Sequence, residues 1–224
     1  VGFEKSLDLE IFISYTTAMT THTHAPRAPR SPGRPREFDM DMALDGAIRI
    51  FRERGFHATS LGELGAAMNL TAGSIYKAFA DKRAVFLAAF ERYTEIRQAS
   101  LQRSINAAGS GRDKVLAVLH FYAESAHGVE GERGCLVVGS ATDLATFDSE
   151  VAGRITAALQ RTEKLLADLI RSGHKDGSIP SAVEVASTAR LLLSVTQGFR
   201  IVGKAGRTRA QMMAAADQAM RLLS

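Results

Sequence analysis

The stretch Thr59 to Lys82, TSLGELGAAMNLTAGSIYKAFADK, decides how this chain folds. Ser60-Leu61-Gly62-Glu63 has the S-x-x-E form of a capping box, in which Ser60 and Glu63 satisfy backbone donors at a helix start. Asn69 follows the helix that box opens, and asparagine tolerates the left-handed conformation that ends a helix. Thr71 is placed to cap a second short helix, Ala72 to Ala78, closed off by Phe79-Ala80-Asp81. Two short helices joined by a tight turn predict a helix-turn-helix, the arrangement that lays its second helix in the major groove of duplex DNA.

The flanks agree. Leu44, Ala47, Ile48 and Phe51 fall at i, i+3, i+4 and i+7, an apolar stripe on one helix face, and Gly55 ends that helix. Leu61, Leu64, Leu70, Ile75 and Phe79 supply the rest of a small three-helix core. These apolar residues are read as core; function falls to the polar residues left outside.

From Ala47 to Phe86, AIRIFRERGFHATSLGELGAAMNLTAGSIYKAFADKRAVF resembles the DNA-binding domain of the TetR family of transcriptional regulators. The matching elements are Gly55-Phe56, Thr59-Ser60, Gly73-Ser74-Ile75-Tyr76 with Phe79, and Lys82. Such order and spacing over about forty residues is far more specific than a lone short motif. A looser likeness surrounds RGCLVV, Arg133 to Val138. The resemblance implies an all-α fold, with an N-terminal three-helix helix-turn-helix domain followed by a helical ligand-binding and dimerisation domain. It also implies a homodimer.

Composition fits. The chain has 224 residues, few prolines and no tryptophan, and its net charge of +4 is matched by four arginines in the acid-free stretch His22 to Arg36: Arg27, Arg30, Arg34 and Arg36. A basic arm before a helix-turn-helix suits phosphate or minor-groove contact. Arg34 and Arg36, nearest the first helix, are the stronger candidates; for Arg27 and Arg30 a merely solubilising tail is an equal alternative. A disordered basic tail is expected over 1–36, the helix-turn-helix domain over 37–81 and the ligand-binding and dimerisation domain over 82–224.

One cysteine excludes an intrachain disulfide and suggests a reducing compartment. No apolar run approaches the roughly 18 residues of a membrane span. The opening VGFEKSLDLEIFISYTT carries acids and no basic n-region, a poor signal peptide, and Met19 is a candidate translation start. A cytoplasmic protein is expected.

Beyond the motif, Asp81 is expected to cap a long connecting helix, Lys82 to about Ala107, broken at Gly109-Ser110-Gly111. Further helices are expected from about Asp113 to His127, from Cys135 to about Thr146, and from Ser149 to Arg171 with an end at Gly173. Gly128 to Gly134 and Ser172 to Pro180 read as loops. The last two helices, about Ser181 to Val202 and Thr208 to Leu223, are rich in Ala, Leu, Val and Met. In the TetR plan such a pair forms a four-helix interface between subunits; an ordinary buried pair within a monomer is the alternative.

The residues expected to meet DNA are Arg34, Arg36, Thr59, Ser60, Thr71, Ala72, Gly73, Ser74, Tyr76, Lys77 and Lys82. Thr59 and Ser60 lie at a helix N-terminus, which favours a phosphate. Lys77 can reach a phosphate or a guanine. The resemblance implies a backbone or base contact for Tyr76 and a phosphate contact for Lys82. Gly62 and Ala72 match positions where relatives often carry long polar side chains, so base readout looks sparse and specificity is expected to lean on DNA shape and the arginine arm.

Candidates to line a ligand cavity are Phe90, Tyr93, His120, Phe121, Tyr122, Ser125, Phe147 and Phe199, although aromatics at helical spacing are more often core. Cys135, at an expected helix N-terminus beside Arg133, is a candidate thiolate sensor or else a small buried hydrophobe. The histidines have no chelating spacing, so neither a metal site nor a cofactor is expected.

Three functions are weighed. The first is a repressor released from a near-palindromic operator by a small-molecule inducer, with a thiol-sensing regulator acting through Cys135 as its variant. The second is an enzyme using Cys135 with His120 or His127, for which no orienting group or phosphate loop is recognisable. The third is a sequence-tolerant architectural DNA binder, for which more than 120 C-terminal residues would be superfluous. The first is favoured.

Overall fold

The computed structural model describes residues 39–146 and 148–224. The expected tail, with Arg34 and Arg36, and Phe147 lie outside the described residues. Within them the chain is built of helices, in the order α1 (Met40–Arg54), α2 (Leu61–Met68), α3 (Ala72–Ala78), α4 (Lys82–Asn106), α5 (Gly111–Glu124), α6 (Gly128–Arg133), α7 (Leu136–Asp143), α8 (Ser149–Asp176), α9 (Val185–Val202) and α10 (Arg209–Ala219). A 3-10 turn follows α9, and another, Met220–Leu223, follows α10.

The expected caps form. The Ser60 side chain accepts from Glu63 N while Glu63 reaches back to Ser60 N at 2.8 Å. Asn69 ends α2 in the left-handed conformation, φ 54°. Thr71 caps α3 and Asp81 caps α4.

Two apolar clusters organise the molecule. One joins α1–α3 to the first half of α4, through Phe51, Leu64, Ile75, Phe86 and Phe90, and extends to Leu136, Leu144, Val151 and Ile155. The other gathers α5, α8, α9 and α10 around Leu119, Leu166, Ile170, Leu192 and Met212, with Leu101 and Ile105 of α4. Helix α4 thus lends its first half to one core and its second to the other.

Several boundaries differ from the sequence reading. Gly128 to Arg133, expected as loop, is a short helix whose Glu130 and Arg133 pair at 3.0 Å, with Glu130 also gripped by Arg52 of α1; tertiary ion pairs override weak local propensity. Helix α8 runs through Gly173 to Asp176 and ends at Gly177, whose φ is 78°. Gly173 serves as a contact instead: a Cβ on Gly111 would meet its backbone N at 2.2 Å. Helix α9 starts at Val185, because Val183 N donates to Pro180 O in a turn and Glu184 makes the cap. Helices α5 and α7 each end three residues early, at Glu124 and Asp143.

Candidate nucleic-acid interface and ligand cavity

Helix α3 is anchored by one buried side chain, Ile75, and turns the rest of itself outward. Tyr76 and Lys77 are exposed, Tyr76 by 54%. Thr71, Ala72 and Gly73 are exposed at its start. The hydroxyls of Thr71 and Ser74 lie 2.9 Å apart, and Ser74 N donates to Thr71 Oγ1. These residues form one continuous polar edge with small side chains at its leading end.

Thr59 and Lys82 have other duties. Thr59 is 1% exposed, and its hydroxyl donates to Gly55 O at 2.7 Å, so its side chain is spent inside the fold. The phosphate expected at this helix start would therefore meet backbone donors, not the Thr59 hydroxyl. Lys82 Nζ donates to Thr59 O at 2.7 Å and sits 4.4 Å over the Phe56 ring. It ties the start of α4 to the turn before α2, with donors to spare, since an ammonium carries three. Ser60 remains exposed, its hydroxyl donating to Glu63.

The helices from α4 onward line a half-open cavity of about 290 Å³. Tyr93, Phe121, Tyr122, Leu101, Val137 and Leu159 give it apolar and aromatic walls; Thr94, Arg97, Gln98, Gln102, Thr162 and Gln197 add polar groups, and Cys135 is part of its lining. Of the expected ligand residues, Tyr93, Phe121 and Cys135 come together here, with Tyr122. Phe90 does not: it is 2% exposed and packs on Phe86, ring centroids 6.1 Å apart. Phe199 is buried in the second core. His120 faces α10 and meets Asp217 at 2.7 Å. Each of these three side chains is consumed by helix packing, the ordinary fate of residues at helical spacing.

Cys135 forms the N-cap position of α7 and is half-buried. Tyr93 Oη donates to its Sγ at 3.5 Å. Burial pushes the thiol up, but the guanidinium groups of Arg200 and Arg97, the Tyr93 hydroxyl and the Val138 N–H prevail, lowering it to about 7. The same burial, with the neighbouring thiol, pushes the Tyr93 phenol up.

Arg200 is the residue that sequence reasoning missed. It is 1% exposed, and its Nη2 donates to Gly134 O at 3.0 Å, while Nε and Nη1 have no hydrogen-bond partner. A buried guanidinium without a carboxylate is costly. The sequence signal was slight: an arginine set between two apolar residues, Phe199 and Ile201, near the end of α9. Arg52 was missed as well. Its Nε and Nη2 donate to the same Gly134 O at 2.9 and 2.7 Å, and its Nη2 pairs with Glu130 at 2.9 Å. Gly134 has φ 77°, a conformation that suits glycine.

The bacterial regulatory proteins, tetR family, model matches residues 43–89, and the tetracyclin repressor-like C-terminal domain model matches residues 111–220. The chain belongs to the TetR family. It is a DNA-binding transcriptional regulator with a helix-turn-helix, as its relatives are. It is similar to the HTH-type transcriptional repressor ComR of Escherichia coli (strain K12), 27% identical over 196 residues, 86% of this chain and 92% of that protein. Among solved structures it is similar to a cysteine mutant of the TetR family transcriptional regulator CifR complexed with 26-bp double-strand operator DNA: TM-score 0.76, 28% identity, 84% of this chain and 98% of that one. A TetR family regulator from Cytophaga hutchinsonii shares the fold, with TM-score 0.71 at 22% identity, over 81% of this chain and 91% of that one. No helix among the described residues is long and apolar enough to cross a membrane.

Proposed function

We propose that this chain is a homodimeric repressor that leaves a near-palindromic operator when a small molecule fills the cavity at Cys135. One observation carries the reading: the cavity residue Cys135 directly follows Gly134, whose carbonyl is held by Arg52 of the helix-turn-helix. A ligand that shifts Tyr93 or Cys135 therefore strains a bond to α1, and a two-state repacking there changes the attitude of the reading helix. Operator and inducer then oppose each other with a coupling of typically about 1–3 kcal/mol.

In this reading Thr71, Ala72, Gly73, Ser74, Tyr76 and Lys77 face the major groove. Backbone donors after Ser60, with Lys82, meet phosphate, and Arg34 and Arg36 enter the neighbouring minor groove. Helices α9 and α10 form the subunit interface. In support, Leu191, Ile201 and Val202 of α9 and Leu222 beyond α10 are exposed large hydrophobic residues, and Ala214 and Ala215 of α10 are exposed small ones. Two-fold symmetry would set the reading helices roughly 34–36 Å apart, one turn of DNA. The role calls for a cytoplasmic location.

The test is a selection of bound sequences from a random duplex pool at near-physiological salt. One near-palindromic motif supports the reading. Recovery of no motif, with binding that vanishes as salt rises, replaces it with the architectural one.

A thiol-sensing variant is favoured by the lowered Cys135 thiol in the cavity wall. An α,β-unsaturated carbonyl entering the cleft would take the Cys135 thiolate at its β-carbon, the C=C π pair passing to the α-carbon and then taking a proton from water, so the anion beside Arg200 is lost. An unchanged response of Cys135→Ser to the native inducer eliminates this variant.

A further inference from the structure

We infer that the cavity is built for a small organic anion with an aromatic body. The inference rests on the reading of this cavity as the effector site and names the chemical class of its occupant.

Charge supports it first. The charged residues lining the cavity are Arg97, Arg161, Lys164 and Asp168. The single acid is already committed, to Lys164 at 2.6 Å and to Arg171 at 2.7 Å. Arg97 meets no carboxylate among the described residues; its Nη2 donates to the neutral Ser125 hydroxyl at 3.1 Å. Behind the wall, Arg200 adds a buried cation whose Nε and Nη1 stand unpartnered. Its neighbour Cys135, whose thiol is lowered to about 7, offsets part of that charge near neutral pH, whereas the Tyr93 phenol, pushed up, does not. Arg97, which has no carboxylate of its own among the described residues, would draw an anion to the inner end of the cleft.

Geometry supports it second. The Arg97 guanidinium lies 4.6 Å over the Phe121 ring, 5.7 Å over Tyr122 and 5.9 Å over Tyr93. Only its Nη2 is engaged, by Ser125, so its other N–H groups remain for a carboxylate. The same rings, with Leu101 and Leu159, offer flat apolar walls for the body of the ligand. The volume, about 290 Å³, is roughly twice that of a ~150 Å³ cavity that takes benzene. It suits one or two fused rings bearing a single negative group.

The probe is 2-naphthoate against its neutral isostere 2-naphthamide, each titrated into the full-length protein without DNA. The chain has no tryptophan, so naphthyl fluorescence is read without that background. The acid is expected to bind at least about tenfold tighter than the amide, a difference of about 1.4 kcal/mol. Arg97→Gln should erase that preference while leaving amide affinity within about twofold, and Arg97→Lys should keep part of it. Equal affinity of acid and amide, a preference that survives Arg97→Gln in the folded protein, or no binding of either compound overturns the inference. Should Arg97→Gln fail to fold, the acid-to-amide ratio of the unaltered protein decides by itself. Because no DNA is present, the effector reading fails separately: naphthoate that binds tightly yet leaves operator affinity unchanged upholds the anion site and defeats its role in release.

Discussion

Arg52 and Arg200 donate to the same atom, the carbonyl oxygen of Gly134. Arg52 comes from α1 and approaches with two nitrogens, at 2.9 and 2.7 Å; Arg200 comes from α9 at 3.0 Å. Two cations meet on one oxygen because each has a separate source of negative charge. Glu130 pairs with Arg52, and the Cys135 thiol, lowered to about 7, stands beside Arg200. The helix-turn-helix, the cavity wall and the helix assigned to the dimer interface are thereby joined at one residue.

Arg52→Gln should destabilise the protein by about 2–3 kcal/mol, since its bonds to Gly134 O and Glu130 are charge-assisted and its side chain is only 8% exposed. Urea unfolding measures this. In a double-mutant cycle with Arg200→Met the two effects should fail to add by more than about 0.5 kcal/mol. Additivity would mean that the shared carbonyl does not couple them.

The Cys135 thiol sets a pH dependence. Its folded value, about 7, lies below the ordinary 9.0, so the unfolded chain holds a proton that the folded chain has released between those limits. Stability from this group is therefore complete above about pH 9 and is lost as pH falls through about 7. Chemical denaturation from pH 6 to 9 should show stability rising with pH relative to Cys135→Ala. Iodoacetamide alkylation should likewise reach half its maximal rate near pH 7. A midpoint near 9 would refute the influence of Arg200 and Arg97.

Thr59→Val should cost about 1 kcal/mol by removing the buried bond to Gly55 O. Operator affinity of the folded protein should change by less than about twofold. A tenfold loss would place a phosphate contact on the Thr59 hydroxyl.

Lys77→Ala should weaken operator binding about fivefold or more and flatten the salt dependence by roughly one counterion. Tyr76→Phe tests the hydroxyl beside it. Unchanged affinity at fixed salt for both variants would move the reading edge away from the exposed end of α3.

Glycines 62 and 111 should respond in opposite directions. A Cβ at Gly62 meets nothing within 4 Å, so Gly62→Ala should stabilise α2 by about 0.5–1 kcal/mol. At Gly111 a Cβ would strike the backbone N of Gly173 at 2.2 Å and its Cα at 2.4 Å, forcing α5 and α8 apart. Gly111→Ala should lose more than about 3 kcal/mol. Thermal unfolding of the two variants side by side is sufficient.

The sequence by itself determined the reading head. Ser60 with Glu63, Asn69, Thr71 and Asp81 act on backbone within three residues of themselves, and the stripe Leu44, Ala47, Ile48, Phe51 repeats at helical spacing, so each signal is written in neighbouring letters. The same locality explains the misplaced end at Gly173, where glycine looks like a helix stop and serves as a helix contact. Only the tertiary structure decided which aromatics are walls and which are filling: Phe121 lines the cavity, whereas Phe199 is core and His120 is held by Asp217. It alone brought Arg52 and Arg200 to Gly134 across 82 and 66 residues of chain. A contact between residues so far apart leaves no period and no spacing in the sequence, because it is set by how whole helices pack rather than by where each helix begins.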